Sequence, residues 1–144
     1  MQPQIKTAIY GGIAATIVMT MMMFVAPMMT GMPMDIAAMI GGMLGDSYML
    51  GMLMHIMLGV IVFPLAYVFV VFDRLPGAPI TRGVLFGLIL WVMAAVVVMP
   101  MAGGGFLMAN IGGMMALVAS AMGHIVYGAL LGGIAGGGVD AKTA

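Results

Sequence analysis

Four stretches of this chain are apolar for long enough to cross a bilayer, and polar residues gather almost entirely between them. A spanning helix needs about 20 predominantly apolar residues. The sequence supplies such runs from about Thr7 to Ala26, Tyr48 to Phe72, Thr81 to Met101 and Ile111 to Gly136. The first lies near the N-terminus, where a cleaved leader would also be apolar. Its run is longer than the roughly 7–15 residues of a leader core, and no small-x-small cleavage site follows it, so we read it as a retained span. The pattern predicts an all-α integral membrane bundle of four helices in a single domain.

The connections differ in character. Asp73-Arg74-Leu75-Pro76-Gly77-Ala78-Pro79 joins the second and third spans, and its Pro-Gly and second Pro forbid a continuous helix. The segment from Pro27 to Ser47 is longer and holds Gly31, Pro33, Gly41, Gly42 and Gly45. It predicts a short interfacial helix over residues 35–43, with Asp46 or Ser47 capping the second span. Gly103-Gly104-Gly105 makes a turn between the third and fourth spans. Pro64 falls inside the second span and predicts a kink there, and Pro100 predicts a kink in the third or its end.

The spans repeat as two tandem hairpins. The second contains His55-Ile56-Met57-Leu58-Gly59 and the fourth His124-Ile125-Val126-Tyr127-Gly128, both His-Ile-x-x-Gly. The preceding spans end in Pro27-Met28 and Pro100-Met101, and they begin with Gly11-Gly12 and Gly83. Two units of like orientation imply a pseudo-two-fold axis along the membrane normal. At 1.5 Å per residue, both histidines stand roughly 25 Å from the end marked by Asp73 and Asp140. Met99 and Met101, which follow Arg82, reach a similar level.

Small residues mark helix contacts. Gly128, Gly132 and Gly136 form a stripe on the fourth span, and Gly83 and Gly87 form one on the third. Such stripes let backbones approach closely in lipid, so packing is the first expectation and an oligomer or partner interface the alternative for the fourth span. Thr16 and Thr20 share a face of the first span. Trp91 lies in mid-span, so its N–H needs an internal partner.

Composition agrees with lipid as the solvent. Hydrophobic residues make up 65% and charged residues 6% of the 144, against about 25% charged in soluble domains. No basic run exists, which argues against nucleic acid. There is no cysteine, so disulfides and thiolate sites are excluded. Twenty-two methionines serve first as flexible apolar filler, though thioethers also suit Cu(I). Lys6, Arg74, Arg82 and Lys142 all fall at one end of the predicted bundle, while the other end carries only Asp35 and Asp46. By the positive-inside rule, both termini are expected in the cytoplasm.

His55 and His124 are the ionisable side chains placed clearly within spans, and polar groups in a bilayer face the bundle interior or water. Three readings stand. Each histidine can bond to a neighbouring helix through Tyr127, Thr20, Asp35 or Asp46. The pair can hold haem b between facing helices, or copper together with Met99 or Met101. They can relay protons or line a permeation path, although no buried carboxylate chain continues from them. No catalytic motif, Walker loop or paired carboxylates appear, and glutamate is absent, so the chain is expected not to be an enzyme.

The segment His55–Gly133 resembles a family of small bacterial four-helix membrane proteins of unknown function. The resemblance rests on Pro64-Leu65-Ala66-Tyr67, Leu75-Pro76-Gly77, Arg82-Gly83, Leu90-Trp91, Val98-Met99-Pro100-Met101 and Gly123-His124 with Tyr127-Gly128. It implies the fold and a bacterial inner-membrane location, and carries no activity. The expected function is an accessory subunit of a larger membrane complex, respiratory or copper-dependent, in contact with lipid and with other subunits or its own copies. A haem or copper carrier using His55 and His124 is the alternative, and a small transporter or channel the third.

Overall fold

The computed structural model describes residues 4–31 and 35–140. Lys142 and Pro33 lie outside the described residues. The chain folds into α1 (Ile5–Thr30), α2 (Ile36–Met43), α3 (Tyr48–Arg74), α4 (Pro79–Met101) and α5 (Gly113–Asp140). Four of these are long and apolar enough to span a membrane. Helix is the form such segments must take, because in lipid every backbone N–H and C=O has to be satisfied within the segment. Large apolar side chains line the outside, among them Met21, Phe24, Leu53, Phe69, Val92 and Met122. This is a membrane protein, and lipid covers that surface.

The helices run longer than the apolar runs alone indicate. α1 continues through Pro27 and stops where Gly31 turns left-handed (φ 69°) and donates its N–H to the Pro27 carbonyl. α5 begins later than expected, at Gly113, because residues before it form turns. The interfacial helix is present: the Asp35 carboxylate accepts from the Ala38 N–H at 2.9 Å and opens α2. Of the two caps proposed for α3, Ser47 takes the role through the Leu50 N–H, and Asp46 sits in a left-handed turn (φ 59°).

α5 packs along both α4 and α1, and α1 packs along α3. α3 and α4 meet mainly at the end where the 73–78 connection joins them. We call this the terminal end, since Gln4 and Asp140 lie there too. It is closely sealed. Tyr67, Phe72, Phe86, Leu131 and Ala135 form a buried cluster, each at most 3% exposed. Arg82 ties the connection down by donating to the carbonyls of Phe72 and Gly77, with its guanidinium 4.5 Å from the centre of the Phe72 ring. Tyr67 donates its hydroxyl to the Pro79 carbonyl.

Glycine sets the helix spacing. A methyl group at Gly83 would collide with the Gly128 carbonyl, and one at Gly87 with the His124 carbonyl. Gly132 and Gly136 meet Pro79 in the same way. The α5 stripe is therefore used inside the chain, against α4. The first hairpin repeats the register: a methyl at Gly12 would strike the Gly59 carbonyl, just as one at Gly83 strikes Gly128. In each hairpin the glycine four residues after the histidine receives a glycine of the preceding span.

Pro64 does not interrupt α3. A π-helical turn at Leu58–Val62 precedes it, and the Phe63 N–H bonds to the Leu58 carbonyl. Of two further such turns, Tyr67–Val71 follows Pro64 in α3, and Ala94–Val98 precedes Pro100 in α4, which then ends at Met101. The turn before each proline adjusts the hydrogen-bond ladder ahead of a residue that cannot donate to it.

Candidate functional site

Above the sealed terminal end, the four spans enclose a cavity of about 430 Å³. α2 roofs it with Ile36, Met39 and Ile40, while Ala37 and Gly41 on its neighbouring face are buried against the start of α3. The wall is mostly apolar. It carries five side chains with polar atoms, Thr16, His55, Ser120, His124 and Tyr127, and seven methionines: Met19, Met22, Met23, Met39, Met93, Met99 and Met108.

Helical spacing explains the convergence. Thr16, Met19 and Met23 lie at i, i+3 and i+7 on α1. Ser120, Gly123, His124 and Tyr127 occupy i, i+3, i+4 and i+7 on α5. Both histidines thus face one cavity. His55 is bonded through Nε2 to the Thr20 hydroxyl at 3.0 Å, a partner named among the sequence alternatives. His124 bonds within its own helix, from Nδ1 to the Ser120 carbonyl at 2.8 Å. A carbonyl only accepts, so Nδ1 carries the proton, and Nε2 of the neutral ring presents a lone pair.

Of two further polar groups, Tyr127 was expected as a histidine partner and bonds elsewhere, and Thr16 was expected only on a face shared with Thr20. The Tyr127 hydroxyl donates to the Gly59 carbonyl at 2.6 Å. Beside it, the Thr16 hydroxyl is buried at 4% exposure without a hydrogen-bond partner. Thr16 and Tyr127 are therefore not equivalent: the Tyr127 hydroxyl is bonded to Gly59, and that of Thr16 is unpartnered and sealed against it.

The two predicted methionines separate. Met99 is buried and lines the cavity, whereas Met101 is 68% exposed on the outside of α4. Two residues along a helix is roughly 200°, so the pair cannot share a face. Met108 was missed because it belongs to a connection. It reaches the cavity from a backbone in which Leu107 and Met108 are both left-handed (φ 52° and 63°). Such geometry costs roughly 1–2 kcal/mol per residue for side chains of this kind. Trp91 finds its partner in the Leu117 carbonyl at 3.1 Å. Among the described residues, no three His, Asp or Glu side chains gather as a metal cluster. A metal here would depend on thioether sulfur as well as imidazole.

A helical membrane protein of four spans with a short roofing helix and a methionine-lined interior cavity is the class that this fold defines. The chain belongs to the family of unknown function DUF6789, whose model matches residues 2–139. No curated protein and no solved structure matches it.

Proposed function

We propose that this is a non-enzymatic membrane protein that holds a cofactor-sized ligand in the cavity between its spans, with His55 and His124 as polar anchors. The observation that carries this reading is the convergence of both histidines on a single apolar cavity of about 430 Å³. Small-molecule sites are typically about 300–1,000 Å³, largely apolar, with a few placed polar groups. The accessory-subunit reading loses its positive support, because the glycine stripes are used in packing α4 against α5. A channel is disfavoured by the sealed cluster at the terminal end.

The metal readings divide. The methionines favour copper, since His124 and thioethers such as Met99 line one cavity and would supply it with soft donors. Haem b fits less well. Its propionates seek cations, whereas Asp35 and Asp46 are the ionisable groups at the α2 end. Orientation follows the charge distribution, with the terminal end in the cytoplasm of a bacterial inner membrane and the cavity in the opposite half.

Native mass spectrometry of the full chain released from its own membranes, with an optical spectrum and copper analysis, tests the proposal. A stoichiometric adduct or metal that is lost in His124→Ala supports it. A bare polypeptide mass, with no chromophore and sub-stoichiometric copper, overturns it.

A further inference from the structure

Resting on that reading, we infer that the ligand is a neutral amphipathic molecule with a hydroxyl-bearing aromatic head, of the phenol or hydroquinone class. Its head donates to His124, and its apolar body lies among the methionines.

The polar groups of the cavity define the head. His124 supplies the contact: with Nδ1–H committed to Ser120, its Nε2 accepts. The Thr16 hydroxyl is also unpartnered, but it is packed against Gly59 and has almost no surface on the cavity. A hydroxyl group on the ligand matches His124 by donating its proton to Nε2. A hydroquinone does so with either of its hydroxyls. A single water there would leave nearly all of the cavity empty, and buried water needs two to four polar partners.

The remaining properties follow from the walls. About 430 Å³ is some fourteen times the roughly 30 Å³ share of one water in the liquid, far more than a bare ion occupies. Thioether sulfur makes favourable contacts with aromatic rings, and seven methionines surround the space. The absence of Lys and Arg at the α2 end leaves an anionic head without a partner, and the apolar wall suits an uncharged one. The entry route is lateral. α3 and α4 meet mainly at the terminal end, and Met93 both lines the cavity and is 52% exposed to the lipid side. A molecule dissolved in the bilayer reaches the site there without crossing water.

The test uses the full chain in phosphatidylcholine nanodiscs, with empty nanodiscs as the partition control. Three probes are a decyl-substituted hydroquinone, 4-decylphenol and the methyl ether of that phenol, read by quenching of Trp91 or by calorimetry. The hydroquinone and the phenol are expected to bind saturably at one per chain. The ether, which cannot donate, is expected to bind roughly tenfold more weakly. His124→Phe should remove the difference between phenol and ether, and Thr16→Val, which keeps the side-chain shape at a hydroxyl sealed against Gly59, should leave that difference intact. Equal binding of phenol and ether to the natural chain overturns the inference, as does purely partition-like uptake. If the probes fail while an adduct or copper is still retained through His124, the inference fails and the cavity reading stands. If nothing is retained and nothing binds, both fall.

Discussion

The hydroxyl of Tyr127 on α5 donates a 2.6 Å hydrogen bond to the carbonyl of Gly59 on α3. The bond exists because that carbonyl has lost both donors in its own helix. Phe63, four residues on, bonds instead to Leu58 across the π-helical turn. Pro64, five residues on, has no N–H. In a bilayer, no water stands ready to replace them. Tyr127→Phe should therefore lower stability by roughly 1–3 kcal/mol, the cost of an unpaired buried acceptor. Denaturation in mixed micelles measures it. Adding Pro64→Ala restores a backbone donor, so the double variant should recover part of the loss. No coupling between the two sites would show that the proline is not what frees the carbonyl.

The glycine contacts give a prediction with an internal control. A methyl at Gly83 meets the backbone of Gly128 and Gly132, which cannot move aside without parting α4 from α5. Gly83→Ala should cost about 1–3 kcal/mol. A methyl at Gly123 meets only the flexible end of Met19 at 3.5 Å. Gly123→Ala should be neutral or slightly stabilising, since alanine suits a helix better than glycine. Unfolding of the two variants side by side decides; equal losses would refute the close-approach account.

Much of the fold was legible from the sequence because the bilayer allows so few solutions. Span positions follow from apolar runs, and the Ser47 cap follows from residue type at a helix start. The glycine stripe foretold the close approach at Gly128, while the matching contact of Gly12 with Gly59 was not read from the repeat. The histidines' depth put them at one level, and the cavity joins them. What stayed hidden depends on azimuth and on hydrogen-bond shifts. Met99 and Met101 differ only by which face of α4 they occupy. The π-helical turns before Pro64 and Pro100 have no signature beyond the prolines, so a simple kink was expected at Pro64. Met108 enters through left-handed backbone at two residues that ordinarily avoid it.

The roof should loosen independently of the spans. Asp35 caps α2 through the Ala38 N–H, and replacing such a cap with alanine costs typically about 1 kcal/mol. In Asp35→Ala, amide exchange across Ile36–Met43 should speed several-fold while α5 amides are unchanged. Exchange that rises equally in α2 and α5 would mean that the roof and the bundle open together, and that α2 is not a separate lid.

Sidedness is testable because the natural chain contains no cysteine, so a single introduced thiol is read without background. Gly42 and Pro76 are both exposed and lie at opposite ends of the bundle, one on α2 and the other in the 73–78 connection. Lys6, Arg74 and Arg82 gather at the Pro76 end, and Arg82 is fixed there by two carbonyls. Positive charge is retained on the cytoplasmic side. In intact cells with the outer barrier made permeable to small reagents, an impermeant maleimide should label Gly42→Cys. Pro76→Cys should react only after the inner membrane is opened. The reverse pattern would turn the cavity toward the cytoplasm, so that a ligand entering beside Met93 would come from the inner leaflet.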